Sequence, residues 1–221
     1  MRTYLYLAGA AVTALVMVMP AAPASAAVDV LTISRVGGSN VHVGDILKAS
    51  LVTNTSAGFF QSATSTTGIK CAKSTFSAKV TANPGKPGTA KESVTSQTFS
   101  SCTSNVSGVT SVQSVKVGNL PYNSTISDSA GFPVKVKQTS TTKPLKTTLV
   151  LNTLLGPVTC VYTAAGISGS ASNTGNTVSF KNQKFTLKSG PSSCFSSGFF
   201  TAKYGPVKDT SRTNSPKVFV N

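Results

Sequence analysis

The sequence has no tryptophan, a single histidine and only five acidic residues among 221. Catalytic sites built on paired carboxylates or on an imidazole base need groups that are scarce here. Charged residues make up 11% of the chain, against about 25% in ordinary domains, which excludes a coiled coil or a helical protein rich in Glu and Lys. What the chain has in excess is 62 serine and threonine residues and 20 basic residues, with a net charge of +15.

The first 26 residues have the pattern of a secretory signal peptide. Arg2 precedes an almost wholly apolar run over residues 4–19, and Ala24-Ser25-Ala26 fits the small-x-small cleavage rule. We predict cleavage after Ala26 and a soluble mature chain, residues 27–221, whose net charge falls from +15 to +14 with the loss of Arg2. A membrane anchor is the alternative, but the run is shorter than the ~20 residues that a spanning helix needs, and no later stretch is apolar enough to span a bilayer.

Four cysteines in an exported chain predict two disulfides, and four cysteines allow three pairings. They are Cys71, Cys102, Cys160 and Cys194. The first two and the last two each enclose a pair of strand-like runs around an Asn-x-Gly turn, at Asn83 and at Asn173. This similarity indicates an internal repeat, and pairing within each copy, Cys71–Cys102 and Cys160–Cys194, follows most simply. Because no Cys-x-x-Cys spacing occurs, a zinc site is not predicted.

Apolar and polar residues alternate with a period of two along most of the chain, as in half-buried strands. Clear examples are residues 75–82, 134–137 and 184–188. Turn signals separate these runs, and no window has convincing helical spacing. We predict an all-β, disulfide-stapled antiparallel sandwich or barrel in a single domain, built from related halves of about 27–118 and 119–221. Two small abutting domains are the alternative.

Seven short segments, taken in order, carry a resemblance to a known family. They are Val41–Leu51, Lys70-Cys71, Thr81–Gly85, Phe99-x-x-Cys102, Asn119–Tyr122, Thr159–Tyr162 and Val218–Asn221. Together with the signal peptide, they resemble a family of secreted proteins of actinomycetes such as Streptomyces over nearly the whole mature chain. The resemblance implies a secreted, β-rich protein with two disulfides. It transfers no catalytic or binding residue to this chain.

Side chains able to act as catalytic acids or bases are few and far apart in the sequence. His42 lies between Val41 and Val43, so on a strand it would point away from them, and we interpret it as a surface or structural residue. The acids are Asp29, Asp45, Glu92, Asp128 and Asp209. None has a near neighbour, and Asp45 and Asp128 are predicted to cap turns. We therefore predict that the protein is not an enzyme and binds no metal or cofactor.

Basic residues are the strongest chemical signal. The candidate polyanion-binding residues are Lys135, Lys137, Lys143 and Lys146, followed by Lys181, Lys184 and Lys188, with a further group of Lys70, Lys73, Lys79, Lys86 and Lys91. Period-two spacing would place several of them on one wet sheet face, where they attract polyanions. Most are lysine, which lacks the bidentate fork of arginine, so sequence-specific nucleic-acid binding is not predicted. Alternatively, the lysines serve solubility and protect edge strands from aggregation.

Two phenylalanine pairs and one tyrosine are the candidate exposed aromatic residues. They are Phe59, Phe60, Phe199, Phe200 and Tyr122. Adjacent residues on a strand face opposite sides, so one member of each pair is expected in the core and the other at the surface. Tyr122 is interpreted either as a contact residue or as a tyrosine that locks a corner. An exposed aromatic face would suit a sugar ring, although tryptophan is absent.

Taken together, these features predict a secreted, non-enzymatic structural or adhesive protein. It would associate with anionic polymers of the cell wall or extracellular matrix through lysine-rich sheet faces. A carbohydrate-binding or small-ligand-binding module is the first alternative. A protein-partner module, such as an inhibitor or a subunit of a secreted complex, is the second.

Overall fold

The computed structural model describes residues 28–221, which form sixteen β-strands and no helix. The strands are β1 Leu31–Ile33, β2 Ser39–Asn40, β3 Ile46–Ser50, β4 Ala57–Phe60, β5 Gly68–Ala82, β6 Thr89–Ser104, β7 Val109–Gly118, β8 Tyr122–Ser127, β9 Pro133–Lys137, β10 Leu145–Thr153, β11 Gly156–Ala164, β12 Gly166–Ser172, β13 Thr177–Ser189, β14 Ser197–Tyr204, β15 Lys208–Asp209 and β16 Val218–Val220. Within this range no helix is long and apolar enough to cross a membrane. The predicted signal peptide, residues 1–26, lies outside the described residues. The all-β prediction is confirmed.

Eight of the strands form a closed antiparallel barrel. Neighbours around the ring are β12, β9, β8, β6, β5, β4, β14 and β13, and β13 pairs with β12 to complete the circle. β11, β10 and β7 continue the sheet from β13, while β3 pairs along β5 beside β4. Because the ring is closed, its strands need no partner outside the chain.

The two halves of the chain contribute the same arrangement of four strand columns. In the first half these are β3 and β4 end to end, then β5, then β6, then β7 and β8 end to end. In the second half they are β9 and β10, then β11 and β12, then β13, then β14. The division between these columns falls after β8 rather than at residue 118, and an internal repeat stays a prediction.

The halves meet at two places, which we call the first and second seams. At the first seam β8 pairs with β9, and β7 pairs with β10. At the second seam β14 pairs with β4. Each seam is an antiparallel ladder, so the backbone arrangement is alike at both.

The turn asparagines of the two hairpins hold the chain termini in equivalent ways. A small separate sheet pairs β1 with β16, with Leu31 opposite Val220. The Asn83 side chain accepts the Leu31 N–H at 2.9 Å and donates to the Leu31 carbonyl at 2.8 Å. The Asn173 side chain does the same to Val220, at 2.9 and 2.7 Å. The asparagines that mark the repeat in the sequence thus anchor the terminal strands.

Both disulfides link residues within one half. Cys71 on β5 and Cys102 on β6 are direct register partners, with their Cα atoms 3.9 Å apart. Cys160 on β11 is joined to Cys194 in the loop before β14, with a Cα–Cα distance of 5.8 Å. The predicted pairing is confirmed. In the chain-entropy model, loops of this size contribute about 4 kcal/mol each.

Candidate functional site

Four exposed lysines lie on the outer surface around the first seam. They are Lys79 on β5, Lys91 on β6, and Lys135 and Lys137 on β9. Their sequence neighbours Ala78, Val80, Ala90, Val134 and Val136 are buried in the barrel. The strict alternation therefore directs all four ammonium groups to the outside, and we call this surface the lysine face.

The register of the strands brings these lysines into two adjacent rows. In one row Lys91 pairs with Thr125 on β8, and Thr125 pairs with Lys135 on β9. The other row runs through Lys79, Ser93, Asn123 and Lys137. With strands about 4.8 Å apart, the lysine Cα atoms within a row are about 10 and about 14 Å apart. Hydroxyl and amide side chains lie between the lysines.

No carboxylate neutralises the lysine face. Within residues 28–221 the ion pairs all involve Arg212, whose guanidinium contacts Asp45 and Asp209. The four lysine Cα atoms lie within about 15 Å of one another, whereas the Debye length is about 8 Å at physiological ionic strength. Neighbouring charges of the face therefore reinforce one another only partly at physiological salt and more strongly at low salt, and the surface attracts an extended anion.

The other lysines of the first two predicted groups lie on other elements of the structure. Lys143 lies in the turn before β10, and the stem of Lys146 on β10 packs along Gly118. The second group stays together as exposed residues of β13, at Lys181, Lys184 and Lys188. Of the first predicted group, only Lys135 and Lys137 therefore lie on the lysine face. Lys79 and Lys91, which were predicted in the third group, lie there with them.

The prediction of exposed aromatic residues is wrong for Phe59 and Tyr122, which are 7% and 5% exposed. Phe59 faces the barrel interior and makes edge contacts with Tyr162 at 4.9 Å and Phe185 at 5.9 Å between ring centroids. It is buried because β4 is covered on its inner side by the core of the barrel.

Of the remaining phenylalanines, Phe60 and Phe199 are half-buried register partners at the second seam. The ammonium group of Lys70 lies 5.9 Å from the centre of the Phe60 ring. Phe200 packs instead towards the core, with its ring 6.2 Å from that of Phe99. Phe59 is buried and Phe60, Phe199 and Phe200 are half-buried, so neither pair has the fully exposed member that was expected.

Tyr122 locks the corner at which β7 ends and β8 begins. Its hydroxyl donates to the Gly118 carbonyl and accepts the Lys146 N–H at 2.9 Å. Both partners belong to the β7–β10 ladder, in which Gly118 is opposite Lys146. These contacts support the interpretation of Tyr122 as a tyrosine that locks a corner.

Two of the scattered acids converge on one arginine. Arg212 Nη2 lies 3.0 Å from Asp45 Oδ2, and its Nε lies 3.6 Å from Oδ2 of the fully buried Asp209. Burial opposes ionisation of Asp45, but hydrogen bonds from the His42 N–H and from Arg212 hold its pKa below the ordinary value. Burial, together with the charge of Asp45, raises the pKa of Asp209. The cluster ties β3 to the segment after β15 and is structural.

His42 is exposed at the start of the turn before β3 and does not lie on a strand, and its exposure agrees with its interpretation as a surface residue. Its N–H donates to Asp45 Oδ2 at 2.8 Å, so the predicted turn cap at Asp45 is confirmed. Asp128 accepts the Gly88 N–H at 2.8 Å and thereby supports the turn of the β5–β6 hairpin. These contacts account for His42, Asp45 and Asp128 without a catalytic role.

Sequence reasoning missed Glu92, which faces the inside of the barrel and is 7% exposed. Burial raises its pKa to about 7, although a hydrogen bond from Ser124 acts in the opposite direction. The signal was present in the sequence, because Glu92 alternates in phase with Ala90 and Val94, which are both buried.

Comparisons with known proteins identify no relative of this chain. No protein-family model matches the chain, and searches of curated proteins and of solved structures find no similar protein.

Proposed function

We propose that the protein is a non-enzymatic structural or adhesive protein that binds anionic polymers of the cell wall or extracellular matrix through the lysine face. The observation that carries this proposal is the meeting of Lys79, Lys91, Lys135 and Lys137 on one outer surface with no carboxylate partner. A flat array of ammonium groups suits a repeating anion better than a single small one, because its charges are spread over about 15 Å.

The side chains between the lysines support the same ligand class. Ser93, Asn123 and Thr125 place neutral hydrogen-bond donors between the cations. Phosphodiester groups accept such bonds while their charge is balanced by lysine. We therefore choose a phosphate-bearing wall polymer as the ligand, with lysine supplying charge rather than base recognition.

The proposal places the protein outside the cell, as the signal peptide and the suggested actinomycete family predict. Two disulfides and no free cysteine among the described residues are typical of an oxidising compartment. The mature chain would begin at Ala27.

The test compares two variants of equal charge. In the first, Lys79, Lys91, Lys135 and Lys137 are replaced by Gln. In the second, the exposed lysines Lys73, Lys116, Lys188 and Lys203, from four different strands, are replaced by Gln. Binding to immobilised poly(glycerol phosphate) is measured from low to high salt, with neutral dextran as the control matrix.

We expect the first variant to bind about tenfold or more weakly than the wild type, a loss of about 1.4 kcal/mol or more. The second variant should retain most of the binding, and high salt should abolish binding of the wild type. Equal loss in both variants would mean that net charge alone is responsible and would overturn the proposed site. Tighter binding to duplex DNA than to the phosphate polymer would overturn the choice of ligand.

A further inference from the structure

The interior of the barrel is not completely filled. A cavity of about 120 Å³ lies inside it. Its walls are mainly apolar and include Phe76, Val94, Val115, Ile126, Phe180 and Phe185. An apolar cavity of about 150 Å³ is known to admit benzene, so this space has room for a molecule of about five or six non-hydrogen atoms.

Glu92 is the acidic residue that lines this cavity. Its neighbours in register are Val80 on β5 and Ser124 on β8, and the Ser124 hydroxyl is its hydrogen-bond partner. No lysine or arginine of residues 28–221 forms an ion pair with it. A buried carboxylate is strongly destabilised without a cation. Lys146 also lines the cavity, but among residues 28–221 it forms no ion pair with Glu92, so the carboxylate has no paired counter-charge.

Two further polar side chains of the cavity wall, those of Gln97 and Tyr204, hydrogen-bond to each other and to Ser74. Ser74 Oγ lies 2.9 Å from Tyr204 Oη, and the Gln97 amide donates to both oxygens at 2.8 and 2.9 Å. The Tyr122 hydroxyl is engaged at the corner described above. Glu92 is therefore the acidic group of the cavity wall that can pair with a cationic ligand.

A second cavity, of about 350 Å³, adjoins the first at the end of the barrel that carries the β10–β11 turn. The two share Phe59, Ile69 and Leu149 as walls. The outer cavity is lined by Leu154 and Leu155, which are 81% and 100% exposed. An apolar ligand thus has a largely apolar approach to the inner cavity, past the ring of Phe59.

We propose that the inner cavity binds a small aliphatic amine, with the ammonium group at Glu92 and the alkyl chain against the apolar walls. An ammonium ion supplies the missing counter-charge and donates hydrogen bonds to the carboxylate. The apolar lining selects an alkyl chain over a sugar or an amino acid, because either of these would bury further polar groups without partners. This site is independent of the lysine face, which lies on the outside of the barrel.

The test uses n-butylamine as the probe and 1-butanol as its neutral counterpart of equal size. Binding to the full chain is measured by calorimetry at about pH 6 and about pH 8, on either side of the Glu92 pKa of about 7. The amine stays protonated at both values, since alkyl ammonium groups titrate near pH 10. Tyr122, Tyr204 and Lys146 are the other titratable residues of the wall, and burial raises the pKa of both tyrosines, which therefore stay neutral.

At about pH 8 we expect the amine to bind about tenfold or more tightly than the alcohol, and this preference should shrink at about pH 6 as Glu92 is protonated. Glu92→Gln should remove the preference, whereas Asp128→Asn, which removes one charge outside the cavity, should keep it. Carbon-13 NMR of the wild-type Glu92 carboxyl should show a lowered pKa on saturation with the amine, a readout that does not depend on the variant folding. Equal affinity for both probes, the absence of binding, or an unchanged Glu92 titration would each overturn the proposal.

Discussion

The two seams at which the halves of the barrel meet have similar backbone pairing, but their side chains differ in chemical character. At the first seam the outer surface is the lysine face, and the inner surface includes Ser124, the partner of Glu92. At the second seam Phe60 is opposite Phe199 on one row, and Phe59 is opposite Phe200 on the next. The first seam therefore has one serine among buried aliphatic residues inside and lysines outside, whereas the second is aromatic on both faces.

The difference shows which properties backbone pairing determines and which it leaves to the side chains. Backbone pairing fixes the columns and the closure of the barrel, and both seams satisfy it equally. The aromatic rings of the second seam add buried apolar area, which stabilises the fold. The first seam lacks these buried aromatic rings and has exposed lysines and a buried carboxyl beside it. We therefore expect the first seam to serve binding and the second seam to stabilise the fold.

The largest expected effect tests the stabilising role of the second seam. Phe59→Ala removes a ring that contacts Tyr162 and Phe185, and truncations of this kind cost about 3–5 kcal/mol. Val136→Ala, at a buried position of the first seam, should cost about 2 kcal/mol for the loss of two methyl groups. Urea unfolding of both variants measures the difference. If Val136→Ala cost as much as Phe59→Ala, the proposed division between the seams would be wrong.

The buried carboxyl beside the first seam predicts a dependence of stability on pH. The pKa of Glu92 is about 7 in the folded chain, against 4.5 for an unperturbed glutamate. Between these values the folded state binds more protons than the unfolded state, so stability falls as pH rises from about 4.5 to about 7. The expected loss is about 3 kcal/mol, at 1.36 kcal/mol per pKa unit.

Replacing the titrating group isolates its effect. Glu92→Gln should flatten the fall in unfolding free energy between about pH 5 and pH 7, while Asp128→Asn should leave it in place. A slope that persisted unchanged in Glu92→Gln would place its origin elsewhere, for instance at the buried Asp209, whose pKa is also raised.

Local patterns in the sequence were sufficient to predict the strands and the disulfides. The alternation at Val134–Lys137 predicts β9 with its valines buried and its lysines exposed. The matching cysteine intervals predict both bridges. These features depend on residues close in sequence or on the similar spacing of the two cysteine pairs, so they can be predicted from a single sequence.

The composition of the site depends on register between distant strands. Lys91 and Lys135 share a row only because β8 lies between β6 and β9 with Thr125 opposite both. Likewise, Asp45 meets Arg212 across 167 positions of the sequence. A shift of one residue in such a ladder turns every side chain to the other face, and no local pattern specifies which strands become neighbours.

The smallest expected effect tests the corner that holds the first seam in place. Tyr122→Phe leaves the Gly118 carbonyl and the Lys146 N–H without their hydroxyl partner. An unsatisfied buried group costs about 1–3 kcal/mol, and we expect the lower end because the β7–β10 ladder remains. Hydrogen exchange of the Lys146 amide should accelerate. Tyr204→Phe, which removes a hydroxyl bonded to Ser74 and Gln97, should leave that amide unchanged. Equal protection of Lys146 in both variants would show that the ladder alone holds β8 against β9.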